Sequence, residues 1–394
     1  MSLLTQASLV LTPNAYKANK LYSIIPSSGN GDMTTTRATT ATRINSSGLV
    51  ENVATGIPRV DYTSGVANIL LEPQRTNTIL NSVWAGGGAT PTSFTKSFLG
   101  TTTPITSVKN PNVTAYNFNG TSIRGYFYQT QPFTINNVYA LSVYVENVTI
   151  TQSIISIIGI ANGTGTSVYY KNNVAISSST NIESGNTYTI VFTATATTTI
   201  SEVRFGLGVN GGTPTGDFTL SMPQLEVGSY ATSYIPTTTS TVTRNADLIT
   251  LNNIYTNNFI TSSGGTWFLE LNNNFSLTRD SSSIFGLFDI PTSQNGFGVK
   301  TNATGRLTII KNIGGGQVNL YLTITDNVKI AIKWNGTTAD VFVNGVKVVA
   351  STVFTTTIME FLNANSQDVP KYIKSTMLFP TPLTDTDCIS LTNL

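Results

Sequence analysis

Apolar and polar residues alternate along much of the chain with the period of a β-strand. In the stretch "YTIVFTATA", Tyr188, Ile190 and Phe192 fall on one face of a predicted strand. A second alternation, "NVKIAIKW", begins its apolar positions at Val328 and ends at Trp334. Residues that favour helices are not concentrated with helical spacing anywhere. The pattern therefore predicts an all-β protein.

Turn residues follow these strands at the positions where hairpins need them. Asn335-Gly336 comes directly after "NVKIAIKW", and Asn344-Gly345 follows the next apolar run, "DVFV". Asn-Gly is the dipeptide that most favours a tight β-hairpin turn. We therefore expect consecutive antiparallel strands in this part of the chain.

The last residues predict a short helix. Thr384 is placed to cap its N-terminus, and Asp385 and Asp387 would lie in its first turn, where negative charge is favourable. The single cysteine, Cys388, falls inside this helix, so we expect a buried side chain rather than a nucleophile.

Composition and turn signals divide the chain into three predicted segments. Residues 1–80 form an N-terminal segment, residues 81–237 a jelly-roll-like β-sandwich, and residues 245–394 a second β-sandwich. The stretch "SMPQLEVGSYATSYIPTTTSTVTRNAD" ends the second segment. Its run of Thr and Ser predicts a short linker between two domains.

Charge is scarce in this chain, and polarity is carried mainly by Thr, Ser and Asn. Charged residues make up 10% of the sequence, the net charge is +2, and no basic block is present, so nucleic acid is not an expected partner. One cysteine excludes an intramolecular disulfide. No run of eighteen apolar residues and no convincing signal peptide are visible, so membrane insertion is not expected either.

The absence of histidine narrows the possible chemistry. With 0 His, the Ser/His/Asp and Cys/His arrangements and most zinc sites are excluded. Only a pair of carboxylates could catalyse hydrolysis, yet Glu270 and Asp289 each stand alone in their strands. The glycine-rich stretches lack the lysine of a phosphate-binding loop. We expect no enzyme activity, no cofactor and no metal.

Arginines and acids of the first segment are expected to pair with one another, because few other partners exist. The residues concerned are Arg37, Arg43, Arg59, Arg75, Glu51, Asp61 and Glu72.

Several longer phrases resemble proteins of bacteriophage fibres. "TTTRATTATRINSSGLVENV", "IPRVDY" and "LLEPQRTNTILNS" resemble a recurrent module of phage head-fibre and tail-fibre proteins, including those of crAss-like gut phages. "PQLEVGSYATSYIPTTTSTVTRNAD" is similar to the end of the sandwich that commonly follows that module. "VKIAIKWNGTTADVFVNGVKV" and "LFPTPLTDTDCISLTN" resemble the concanavalin A-like (laminin-G-like) domain.

The resemblance implies a virion structural protein, a fibre or spike subunit on the particle surface that is assembled in the bacterial cytoplasm. It implies a homotrimer, attachment to other virion proteins through residues 1–80, and display of the sandwiches to host or environmental glycans. The resemblance does not distinguish head from tail; the absence of a visible β-helix repeat argues against a dedicated tail-spike enzyme, and the head is favoured for a chain of this length with its own N-terminal segment. A purely structural capsid decoration protein and a polysaccharide depolymerase remain as alternatives.

Candidate glycan-binding residues are aromatic side chains with short polar neighbours. In the last segment these are Trp267, Tyr321 and Trp334, with Asn335 and Asp340 on nearby turns. Packing in the core is the alternative for both tryptophans, because they are in phase with apolar neighbours.

A second candidate is the aromatic triplet in "RGYFYQTQPF". Tyr126, Phe127 and Tyr128 are consecutive, so they cannot all face the core of one strand. Tyr126 and Tyr128 are therefore candidates for a ligand contact or for burial in an interface.

Overall fold

Strands dominate the computed structural model, and the chain is an all-β protein, as predicted. Its helices among the described residues are short: a 3-10 helix at Leu3–Gln6, α1 at Ile154–Ile157 and α2 at Asp385–Thr392. The structure describes residues 3–98, 100–272, 282–289, 295–301, 307–314, 316–323, 327–354, 358–365 and 371–393.

The strands are numbered here in chain order. The first eight are β1 Leu9–Lys17, β2 Lys20–Ile25, β3 Met33–Thr36, β4 Ala41–Ile44, β5 Val50–Val53, β6 Arg59–Asp61, β7 Asn68–Leu71 and β8 Arg75–Asn77. The next twelve are β9 Thr95–Ser97, β10 Thr101–Thr106, β11 Thr114–Gly120, β12 Gly125–Phe133, β13 Val138–Ile150, β14 Ile158–Ala161, β15 Gly165–Lys171, β16 Val174–Ile176, β17 Asn186–Ala194, β18 Thr198–Leu207, β19 Gly216–Val227 and β20 Val242–Arg244. The last are β21 Leu248–Asn252, β22 Gly265–Asn272, β23 Ser282–Phe288, β24 Gly296–Thr301, β25 Leu307–Ile313, β26 Gly316–Thr323, β27 Asn327–Trp334, β28 Thr338–Val343, β29 Val346–Val353, β30 Phe361–Asn365 and β31 Lys371–Phe379.

The chain forms two compact units. Unit 1 contains residues 1–48, 52–74 and 245–394, and unit 2 contains residues 49–51 and 75–244. This division differs from the three predicted segments, because most of the first segment shares a unit with the last one. Unit 2 is thus inserted, in sequence, into unit 1.

The N-terminal strands lie in the middle of the unit 1 sheet. β1 pairs with β31, β2 pairs with β1 and β3, and β3 pairs with β21, all antiparallel. The strand order is β26-β25-β24-β23-β30-β21-β3-β2-β1-β31-β22-β27-β28-β29. Residues 9–36 therefore join two halves of one sheet, a role that the prediction of a separate attachment segment did not foresee.

The two halves of this sheet face each other across a hydrophobic core. The ring of Trp267 lies 5.6 Å from that of Phe285, and the ring of Trp334 lies 5.5 Å from that of Phe297. Leu9 on β1 is buried in the same core. Unit 1 is accordingly a β-sandwich whose core includes residues from both ends of the chain.

Four charged side chains are buried together in unit 1. Arg59 Nη1 lies 2.7 Å from Glu72 Oε2, and Arg59 Nη2 pairs with Asp247 Oδ2. Arg37 Nη1 lies 2.9 Å from Asp247 Oδ1, and Arg37 Nη2 donates to the main-chain carbonyl of Ala54 at 2.6 Å. The two carboxylates hold the pKa of Arg59 above its ordinary value despite complete burial. The prediction that arginines and acids of the first segment pair with one another is confirmed for Arg59 and Glu72, whereas Arg37 pairs with Asp247, which comes from beyond the predicted linker.

The residues at both ends of the predicted linker are held within unit 2, whereas residues 238–241 between them are exposed. Thr237, at the start of the Thr run, is 1% exposed; its hydroxyl donates to the carbonyl of Ile79, and its amide donates to Ser82 Oγ at 2.9 Å. β20 then pairs with β8, which places Arg244 opposite Arg75. The two chain segments that enter and leave unit 2 are therefore neighbouring antiparallel strands.

Unit 2 is a sandwich of two antiparallel sheets. One has the order β10-β11-β19-β13-β17-β15-β16 and the other the order β14-β18-β12-β9. Phe118 of the first sheet lies 5.0 Å, ring to ring, from Phe127 of the second. Trp84 is fully buried and contacts both rings edge-on.

The local predictions for the end of the chain are confirmed. β27, β28 and β29 are consecutive antiparallel strands, and Asn344 and Gly345 both have positive φ, as a tight hairpin turn requires. Thr384 Oγ1 accepts the amide of Asp387 at 3.1 Å and so caps α2. Cys388 is buried, and its burial raises the pKa of the thiol to about 12.

Candidate functional site

Both predicted tryptophans lie inside the core of unit 1. Trp267 and Trp334 are each 1% exposed, and the Nε1 of Trp267 donates to Thr376 Oγ1 at 3.0 Å. Their ring faces contact other aromatic rings, so neither face is available to a sugar. Both tryptophans are therefore core residues, which is the alternative given for them from the sequence.

The polar candidates of unit 1 serve the structure around them. Asn335 Oδ1 accepts the amide of Thr338 at 3.0 Å and so closes its own turn. Asp340 lies 3.0 Å from Lys347 Nζ, and Lys347 also pairs with Asp385 at the start of α2. The side chain of Tyr321 lies outside the described residues. Asn335 and Asp340 thus each have a structural partner in their own turn or strand pair.

The aromatic triplet of unit 2 divides between the two faces of its sheet. Phe127 is fully buried in the core, whereas Tyr126 and Tyr128 lie on the opposite face. Tyr128 is directly opposite Arg204 on β18 and Thr95 on β9. Only Tyr128 is partly exposed, because Tyr126 is covered by its neighbours and is 4% exposed.

The neighbours that cover Tyr126 form what we call the aromatic–arginine surface. It consists of Phe98, Arg124, Tyr126, Tyr128 and Arg204. The Phe98 ring is 50% exposed and lies 5.7 Å from the Tyr126 ring. The guanidinium carbons of Arg204 and Arg124 lie 5.0 and 5.9 Å from the Tyr126 centroid, within the range of a cation–π contact. An exposed ring beside two fixed cations suits a polar ligand that also has an apolar face.

One turn holds both arginines. Arg124 Nε donates to the carbonyl of Gly208 at 3.2 Å, and Arg204 Nη1 donates to the carbonyl of Val209 at 2.9 Å. The turn is fixed in place because the amides of Gly208 and Val209 both donate to the carbonyl of Ser156. The two guanidinium groups are therefore positioned by main-chain atoms before any ligand arrives.

Glycine is required at position 208. Its φ of +71° lies in the left-handed region, and a Cβ there would come within 2.9 Å of Arg124 Cγ. Gly208 is the first residue of the glycine-rich stretch "GVNGGTPTG", so the conformation of this stretch also sets the position of Arg124.

The surface carries one acid, which is already paired. Glu202 is the only carboxylate at the outward positions of the described strands β9, β12, β14 and β18, and its Oε2 lies 2.6 Å from Arg204 Nη2.

Across all described ranges, no group of three or more His, Cys, Asp or Glu side chains could hold a metal ion. In those same ranges, no helix has the length and apolar character needed to span a membrane.

Sequence reasoning found the tyrosines of this surface but missed Phe98, Arg124 and Arg204. Arg124 is two residues before Tyr126 in "RGYFYQ", a signal that could have been used. Arg204 lies on this surface because β18 pairs with β12 in a register that sets it opposite Tyr128. Phe98 lies there because it directly follows β9, which also pairs with β12. Neither position can be predicted from the residues next to it in the sequence.

Comparison with known proteins gives only distant structural matches. No protein-family model and no curated protein matches the chain. A carbohydrate-binding module (CBM40) of a Ruminococcus gnavus IT-sialidase, solved with α2,3 sialyllactose, matches with a TM-score of 0.27 and 13% identity, over 34% of this chain and 83% of the module. The receptor-binding domain of botulinum neurotoxin mosaic serotype C/D matches with a TM-score of 0.29 and 13% identity, over 36% of this chain and 38% of that one. At these scores the matches carry no argument about the site.

Proposed function

We propose that the protein is a non-enzymatic, glycan-binding subunit of a bacteriophage fibre or spike at the virion surface, with the head favoured over the tail. The proposal of glycan binding rests on one observation, the aromatic–arginine surface of unit 2. The virion half rests on the sequence resemblance to phage fibre modules.

The chemistry of the aromatic–arginine surface suits a sugar. The C–H face of a pyranose packs on an aromatic ring such as Phe98, and the hydroxyls of the sugar need fixed polar partners beside that ring. The Tyr128 side chain and the two guanidiniums are such partners. Because the surface is open rather than deeply concave, affinity per site is expected to be weak and to depend on display of several copies.

The arrangement does not favour hydrolysis. Glycoside hydrolysis ordinarily uses two carboxyl groups about 5 to 9.5 Å apart across the bond that is cleaved. Glu202 alone, paired with Arg204, does not supply such a pair at the aromatic–arginine surface. Binding without turnover is therefore the function proposed for this surface.

Replacing Phe98 with alanine should weaken glycan binding about tenfold, since loss of one stacking ring removes roughly 1 to 1.5 kcal/mol. Intact wild-type and Phe98→Ala proteins would be compared on a glycan array and by calorimetry with the strongest glycan. Val174→Ala is a matched control, because Val174 is an exposed apolar residue (62%) on the other sheet of the same unit. Wild-type binding no higher than background would contradict the glycan proposal.

A homotrimer is expected in solution, as the fibre proposal requires. Several strands end in exposed apolar residues, such as Val353 (68%) at the end of the edge strand β29, and exposed edges favour association between copies. Light scattering at micromolar concentration should therefore give three times the chain mass of 42.1 kDa. A monomer at that concentration would count against a self-assembling fibre.

Immunogold labelling of purified particles that carry the chain tests its position on the virion. Label on the capsid would support the head assignment, and label at the tail tip would contradict it. Unlabelled particles would contradict the virion proposal as a whole.

A further inference from the structure

The two arginines of the aromatic–arginine surface differ in how many of their N–H groups remain available to a ligand. Arg204 is engaged on two sides, by the Glu202 carboxylate and by the carbonyl of Val209. Arg124 makes one hydrogen bond, from Nε to Gly208, and in the described structure its Nη1 and Nη2 have no hydrogen-bond or ion-pair partner. Its positive charge is therefore not neutralised by a neighbouring acid.

Arg124 is nevertheless held in a defined place. Its guanidinium carbon lies 4.2 Å from the centroid of the Phe98 ring, close enough for a strong cation–π contact. Its stem packs on the main chain of Gly208, where a Cβ would not fit. The side chain is thus fixed at the Nε end, while the two terminal nitrogens are left for a ligand.

A guanidinium with two free terminal nitrogens is suited to one kind of group. Its planar N–H donors match the two oxygens of a carboxylate in a bidentate pair, which is stronger and more directional than hydrogen bonds to a neutral hydroxyl. With Arg204 paired to Glu202, the charges of Arg124, Arg204 and Glu202 together leave one net positive charge.

We propose that the aromatic–arginine surface binds sugars that carry a carboxylate. Arg124 pairs with the carboxylate, and the exposed Phe98 ring packs on the sugar ring that bears it. Gly208 acts as a positioning residue, because its left-handed backbone and missing Cβ set where Arg124 lies. This inference deepens the proposed glycan binding and rests on it.

The test compares an acidic polymer with its neutral counterpart. Polygalacturonate and fully methyl-esterified polygalacturonate share the same sugar ring and linkage. They differ in that the first carries charged carboxylates and the second neutral methyl esters. Biolayer interferometry with the intact protein should show at least about tenfold tighter binding of polygalacturonate, the range expected for hydrogen bonds to a charged group. Binding should also weaken as salt is raised, since exposed charges are screened.

Two variants separate the carboxylate pair from general charge attraction. Arg124→Gln should reduce polygalacturonate binding at least about tenfold and reduce binding of the methyl ester by a clearly smaller factor, since only hydrogen bonds to neutral groups are lost there. Arg124→Lys keeps the charge but not the planar pair of donors, so it should recover only part of the loss. Gly208→Ala should behave like Arg124→Gln, although the arginine is still present. Unchanged thermal melting of the two Arg124 variants would show that folding is not responsible, and Gly208→Ala, which is strained by its positive φ, should keep a cooperative melt at a lower temperature.

Each result has a distinct meaning. Equal binding of both polymers, with no effect of Arg124→Gln, would overturn the carboxylate inference while leaving glycan binding intact. Full recovery by Arg124→Lys, together with equally tight binding of dextran sulfate, would also overturn it, because any anion would then suffice. Binding of neither polymer, with a positive glycan array for other acidic sugars that depends on Arg124, would support it; a glycan array with no signal would overturn this inference together with the proposed function.

Discussion

A fragment consisting of residues 245–394 alone should not fold, although sequence segmentation marks it as a complete domain. β31 and β21 would each lose a pairing partner, since β1 pairs with β31 and β3 pairs with β21. The core would lose Leu9, Leu11, Leu21 and Met33, all 1% exposed or less. At roughly 1.5 to 3 kcal/mol for each fully buried apolar side chain, this loss is comparable with the whole stability of a domain.

Two other fragments serve as controls for that experiment. Residues 1–74 joined through a short Gly-Ser linker to residues 245–394 should fold, because Asn245 Nδ2 already lies 3.1 Å from Gln74 Oε1. Residues 75–244 should also fold alone, since their terminal strands β8 and β20 pair with each other. Each would be assayed by circular dichroism and thermal melting. A cooperative melt from residues 245–394 alone would contradict this account of unit 1.

Replacing Asp247 with alanine should destabilise unit 1 by about 3 to 5 kcal/mol, as expected when one partner of a buried ion pair is removed. Asp247 pairs with both Arg37 and Arg59, whose side chains are 2% and 0% exposed, and its Oδ2 accepts the amide of Glu72 at 2.9 Å. Without this carboxylate, the buried guanidiniums of Arg37 and Arg59 lose the acid that pairs with both of them.

Urea denaturation of the joined unit 1 fragment would measure this loss. Glu183→Gln in residues 75–244 is the contrasting control, because the Lys171–Glu183 pair is largely exposed on the acid side (65%) and should contribute less than about 1 kcal/mol. A loss for Asp247→Ala as small as that of Glu183→Gln would contradict a structural role for the buried network.

Local features of the fold were predictable because their causes are local. Strand alternation, the Asn344-Gly345 turn and the Thr384 cap each depend on residues within a few positions of one another. Strand partners are not local. Nothing in "SLVLTP" indicates that β1 pairs with β31, some 360 residues later, so the sequence suggested an independent N-terminal segment.

The site was predictable to the same extent. Consecutive aromatic residues at 126–128 must divide between the two faces of a strand, and this reasoning placed Tyr126 and Tyr128 on an outward face. The other members of the aromatic–arginine surface, among them Phe98 and Arg204, come from other parts of the sheet and depend on strand register. Trp267 and Trp334 are in phase with the apolar residues of their strands. This periodicity indicates burial, and both residues lie in the core.

Hydrogen–deuterium exchange of the intact protein, with and without the glycan bound most tightly on the array, tests the central claim most directly. A ligand that bridges Phe98 and Arg124 contacts the end of β9 and, through Arg124, the Gly208 turn, so it should slow the local opening from which amides in these segments exchange. The account predicts slower exchange in peptides covering residues 95–100 and 207–212, with no change in unit 1. Protection confined to unit 1, or none at a saturating glycan concentration, would contradict it.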